Sequence, residues 1–64
     1  MRNDIRERRL DRGLSQAELA QALSVSRQTI NSVETGKYVP SLPLALALGR
    51  FFAVPIEEIF NADI

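Results

Sequence analysis

The 64-residue chain has no cysteine and no histidine. These residues supply the commonest catalytic bases, nucleophiles and metal ligands, so the sequence points away from an enzyme and from a metal centre. Without cysteine a disulfide-stapled secreted module is also excluded. No glycine-rich phosphate loop occurs. The neighbouring Glu57 and Glu58 stand about 100° apart on a helix and do not converge as a catalytic pair. No apolar run approaches the ~20 residues that cross a bilayer, and the opening MRNDIRERR has no apolar signal-peptide core. The expectation is a cytoplasmic protein with no membrane partner, no cofactor and no evident small-molecule ligand. An excess of positive charge is missing too, since eight basic and eight acidic residues cancel.

What the chain does have is a 45% hydrophobic content, enough for one small domain over residues 1–64. At this size only about 60% of the unfolded surface is buried and stability is marginal. The most informative stretch runs from Ser15 to Gly36. Ser15 and Glu18 have the spacing of a reciprocal capping box. After them Leu19, Ala20 and Leu23 gather on one face of a two-turn helix. Ser24-Val25-Ser26 breaks the pattern, and Ser26 is the natural cap of a second helix, Arg27 to Glu34. A turn of about three residues between two helices is the corner of a helix-turn-helix unit.

On the second helix, with Arg27 at 0°, Ile30 and Val33 fall near 300° and 240° and form the inward side. Gln28 and Ser32 lie opposite, with Arg27, Thr29 and Asn31 on the flanks. These side chains match the hydrogen-bonding edges of bases and phosphates: Arg for guanine, Gln or Asn for adenine, Ser or Thr for either. Arg27, Gln28, Asn31, Ser32 and Thr29 are therefore candidate base contacts, and Ser26 and Lys37 candidate backbone contacts. An ordinary solvated helix face has the same polarity. Charge is distributed in favour of the first reading: between Ser24 and Arg50 the cations Arg27, Lys37 and Arg50 face the single acid Glu34.

The run GLSQAELAQALSVSRQTINSVETGKYVPS, Gly13 to Ser41, resembles the helix-turn-helix family of phage repressor and Cro proteins, the XRE family. It is similar above all to short stand-alone bacterial members whose recognition helix begins Ser-Arg-Gln-Thr-Ile-Asn. The resemblance extends over essentially the whole chain. It implies an all-α, lambda-repressor-like fold of five short helices and a sequence-specific regulator of double-stranded DNA, more commonly a repressor. It also implies that Gln16 meets a DNA phosphate, and that Arg9 pairs with Glu34 to tie the first helix to the third. Arg9 otherwise snorkels to solvent along its own stem. Tyr38 packs either against the duplex backbone or against helix four.

The flanking helices follow from local signals. Asn3 is the expected cap of a first helix of about nine residues stopped by Gly13; in it Ile5 and Arg9 share a face and Leu10 points away. Ser41 caps a fourth helix, Leu42 to Phe52, with Leu44, Ala45, Leu48, Gly49 and Phe52 inward. Its outer arc, Leu46, Ala47, Arg50 and Phe51, is nearly all apolar, which makes it a candidate surface for a homodimer or another partner. A short fifth helix is expected around Ile56 to Phe60. The alternative function, from a different class, is a protein-interaction module such as an antitoxin or accessory subunit that binds through this outer arc.

Overall fold

A computed structural model describes residues 1–61. Five helices, α1 (Ile5–Asp11), α2 (Gln16–Ala22), α3 (Arg27–Glu34), α4 (Leu42–Phe52) and α5 (Ile56–Ile59), are flanked by two-residue strands, β1 (Arg2–Asn3) and β2 (Phe60–Asn61). The strands pair antiparallel, Arg2 opposite Asn61 and Asn3 opposite Phe60. The fold is all-α, closed at its ends by this small ladder.

The ladder corrects two expectations. Asn3 is not the cap of α1: Asp4 holds that position without a side-chain cap bond. The Asn3 amide instead accepts from the Ile5 N–H at 3.1 Å and donates to the Val33 carbonyl at 2.8 Å. α1 is accordingly seven residues long. At the other end the fifth helix stops at Ile59, because Phe60 turns extended (φ −105°, ψ 131°) to enter β2.

Local chemistry sets the remaining ends. Ser15 and Glu18 form the capping box, with the Glu18 amide on the Ser15 hydroxyl at 3.0 Å and the Ser15 amide on the Glu18 carboxylate at 2.8 Å. Ser26 accepts from the Thr29 amide, and Ser41 from the Leu44 amide. Gly13 (φ +68°) and Gly36 (φ +78°) supply the left-handed stops after α1 and α3. α2 and α4 end without glycine, in left-handed Ser24 and Ala53, both at φ 58°.

The core is one cluster of Ile5, Leu19, Ala20, Ile30, Val33, Leu44, Leu48, Phe52 and Ile59. Every helix contributes to it, and fully burying a side chain such as Leu48 is worth about 1.5 to 3 kcal/mol. Gly49 lets the chain after α4 fold back closely: a Cβ there would stand 3.0 Å from the Val54 carbonyl oxygen and from Ile56 Cγ2. Leu10 stays exposed, opposite buried Ile5 and Arg9. Among the described residues no helix is long and apolar enough to cross a membrane.

Candidate nucleic-acid interface

α3 is held by its buried side. Ile30 and Val33 are each 1% exposed, and they fix the rotation of the helix so that Arg27, Gln28 and Asn31 are exposed and Thr29 and Ser32 half-buried. The N-terminal end is further set by Ser26, whose hydroxyl lies 2.8 Å from that of Thr29. At the C-terminal end the Lys37 and Tyr38 amides both donate to the Ser32 carbonyl, which carries these two exposed side chains past the helix end.

Two shallow clefts flank the helix. Gln16, Arg27, Gln28 and Asn31 line one; Ser26, Gln28, Thr29, Ser32 and Tyr38 line the other. Gln28 forms the ridge between them. The structure therefore brings Gln16, Ser26 and Tyr38 next to the α3 residues as one polar surface. Tyr38 is 45% exposed and borders this surface.

Behind the surface lies a buried ion pair. Arg9 donates through Nε to Glu34 Oε2 at 2.7 Å and through Nη2 to Glu34 Oε1 at 3.2 Å, and Nη1 donates to the Leu14 carbonyl at 2.8 Å. The side chains of Arg9 and Glu34 are 8% and 3% exposed. The Glu34 hydrogen bond raises the Arg9 pKa, outweighing the opposing effect of burial. Because this carboxylate is covered and paired, the one acid of the Ser24 to Arg50 stretch does not oppose the cations Arg27 and Lys37 on the surface.

Sequence reasoning alone did not find the role of Gln16 within the protein. Its Nε2 donates to Glu34 Oε1 at 3.1 Å and to Asn31 Oδ1 at 3.2 Å, linking the start of α2 to the outer face of α3. Nothing in a linear pattern marks a contact of this kind. Arg12 is the second such residue: its guanidinium lies over the rings of Phe51 and Phe52, 5.2 and 5.1 Å from their centroids, and donates to the Phe51 carbonyl. On the outer arc of α4, Leu46 and Arg50 are exposed and Ala47 is half-buried. Phe51 is half-buried as well, packed against the core and edge-on to Phe52.

A tight corner between two helices, with the second helix locked by its apolar side and polar outward, is the architecture of a helix-turn-helix regulator domain. The chain belongs to the XRE-type helix-turn-helix family, whose model matches residues 5–59. It is 50% identical over 60 residues to an uncharacterized HTH-type transcriptional regulator of Methanocaldococcus jannaschii, covering 94% of this chain and 91% of that protein. Over 57 residues it is 36% identical to the cryptic phage CTXphi transcriptional repressor RstR of Vibrio cholerae, 89% of this chain and 51% of that one. Over 59 residues it is 32% identical to the HTH-type transcriptional activator BcrR of Enterococcus faecalis, 92% of this chain and 29% of that one. DNA-binding transcriptional regulation is the function of the family.

Proposed function

We propose that residues 1–64 form one cytoplasmic DNA-binding domain that reads the major groove of double-stranded DNA with α3 and represses transcription by occupying its site. The observation that carries this reading is the surface of α3, where Arg27, Gln28 and Asn31 stand exposed above a helix locked in place by Ile30 and Val33. Arg27 and Gln28, at the N-terminal end that penetrates a groove furthest, take the principal base contacts; Asn31, Ser32 and Thr29 lie behind them. Ser26 and Tyr38, which border the surface, and the exposed Lys37 that follows the end of α3 serve the phosphate backbone. Gln16 serves it through its main-chain amide, since the first amides of a helix have no partner within it and both side-chain hydrogens of this glutamine are engaged. The Arg9–Glu34 pair fixes the angle of α3.

The acting species is a homodimer on a two-fold operator, with half-sites roughly 34 Å apart. Exposed apolar side chains on and next to α4, Leu42, Leu46 and Val39, support self-association. Repression is supported by the likeness to RstR, while BcrR carries the opposite sign under the same kind of domain.

The test is selection of bound duplexes from a random library, the winner then titrated at two salt concentrations and placed before a reporter promoter. A two-fold symmetric winner, steep salt dependence and a reporter that falls in the presence of the protein are expected. A reporter that rises would make the protein an activator. A folded protein that enriches no sequence would overturn DNA reading in favour of a protein-binding module.

A further inference from the structure

Asn3 reaches two helices at once. Its Oδ1 accepts from the Ile5 N–H at 3.1 Å, at the start of α1, while its Nδ2 donates to the Val33 carbonyl at 2.8 Å, in the last turn of α3. These partners fix which way the amide points, because a backbone N–H only donates and a carbonyl only accepts. The Val33 carbonyl takes a second bond from the Gly36 N–H at 3.1 Å, so both of its lone pairs are used. The Ser32 carbonyl beside it receives the Lys37 and Tyr38 amides. Two adjacent carbonyls of α3 thus hold the turn that carries these two side chains, and Asn3 is bonded to one of them.

The segment around Asn3 also lies against that turn. Gly36 stands so near it that a Cβ there would meet the Met1 carbonyl oxygen at 3.3 Å. Asn3 is itself held from behind, opposite Phe60 in the β1–β2 pair, and the next N–H, of Asp4, donates to the Ile59 carbonyl at 3.2 Å. Support therefore runs from α5 and β2 through β1 to the end of α3. It is separate from the Arg9–Glu34 pair, which ties α3 to α1.

We infer that Asn3 is a positioning residue for DNA binding, which sets the turn after α3 so that Lys37 and Tyr38 meet the phosphate backbone. The inference rests on the proposed reading of DNA by α3 with those two residues on phosphates. Asn3 itself touches no DNA, since both halves of its amide are committed within the protein. Phosphate contacts fix register and add affinity but carry no sequence information. Loss of the Asn3 bond accordingly weakens all duplexes alike and leaves the preferences read by Arg27 and Gln28 in place.

The variant that isolates this bond is Asn3→Asp, which keeps an oxygen for the Ile5 N–H and replaces the donor to Val33 by a second acceptor. Asn3→Ala, which adds no charge, accompanies it. Each is measured on the wild-type background and on Lys37→Ala with Tyr38→Phe, where the phosphate contacts are already gone. On the wild-type background both changes should weaken preferred and scrambled duplexes equally, by about tenfold, the lower end for a hydrogen bond to a charged group. The salt dependence should become shallower by about one phosphate contact per copy. On the second background the same changes should cost about twofold or less. An equal loss on both backgrounds would reduce Asn3 to general stability or charge and overturn the inference. A loss confined to the preferred duplex would overturn it too. Amide exchange in the free protein tests the support without DNA. Asn3→Asp should speed exchange at Gly36, Lys37 and Tyr38 by about tenfold, and leave Val25, bonded to the Ala20 carbonyl before the other end of α3, unchanged. Uniform acceleration, or none, would count against the role. In the wild type the Asn3 side-chain NH2 should exchange more slowly than that of exposed Gln28; equal rates would remove the bond on which everything here depends. A wild type that enriches no duplex, with the local acceleration intact, would sink the DNA reading, and the inference with it, while the support of the turn would stand.

Discussion

Arg9 and Glu34 carry opposite charges into a site that water barely reaches, so each depends on the other for its solvation. Removing one strands its partner, which costs about 3 to 5 kcal/mol for a buried pair. Arg9→Met should lower the stability to urea unfolding by that amount, whereas the double variant Arg9→Met with Glu34→Leu should recover much of the loss. A loss below about 1 kcal/mol in the single variant would mean that the pair behaves as a surface bridge. Arg27 and Gln28 make the contrasting case, because their side chains are exposed and support nothing in the core. Arg27→Ala and Gln28→Ala should leave unfolding unchanged and each cost about 1 to 3 kcal/mol on the preferred duplex. On a scrambled duplex the loss should be smaller, measured by titration at fixed salt. Equal losses on both duplexes would reassign the two residues to the backbone.

The helices differ in how openly the sequence declares them. α3 and α4 begin after serine caps and run for the length of an uninterrupted apolar period, so their bounds, Arg27–Glu34 and Leu42–Phe52, were legible to the residue. The end of α5 was not. Phe60 has the spacing of a helical core residue, and only the pairing of β1 with β2, some sixty residues apart in the chain, draws it into an extended conformation. Left-handed Ser24 and Ala53 were equally hidden, because no glycine marks them. The polar surface of α3 was legible from helical period alone, but the Gln16 bond to Asn31 required two helices to be brought side by side. α2 offers a test at the scale of the element. Glu18 accepts the Ser15 amide, and this bond first, with the Ser15 hydroxyl second, holds its carboxyl below the ordinary 4.5. A depressed carboxylate contributes stability that is present above its unfolded value and is lost as pH falls through the folded one. Wild type should therefore lose its advantage over Glu18→Gln as acid unfolding is followed downward from pH ~4.5, and keep it above. A gap that does not change with pH would show that the Glu18 charge takes no part in the cap. At neutral pH Ser15→Ala should cost about 1 kcal/mol.

For the molecule as a whole, zero net charge means that a single copy has little general attraction to DNA. On the proposed reading its grip comes from local cations such as Arg27 and Lys37, and two copies on one duplex gain far more than one. In the proposed dimer association is tied to function, and the exposed apolar side chains are its candidate seam. Leu42 is 65% exposed and Leu46 41%, four residues apart on the outside of α4, with Val39 at 59% just before the helix. Phe51 shares the outer arc but is partly committed within the monomer, between the Arg12 guanidinium and the Phe52 ring, so charging it would confuse unfolding with dissociation. Leu42→Glu with Leu46→Glu avoids this difficulty. The double variant should sediment as a folded monomer and bind the two-fold duplex about a hundredfold more weakly, while its affinity for an isolated half-site stays near that of the wild type. Dimer mass retained by the variant would move the seam away from α4. A wild type already monomeric, yet binding the two-fold site as tightly, would mean that DNA itself brings the two copies together.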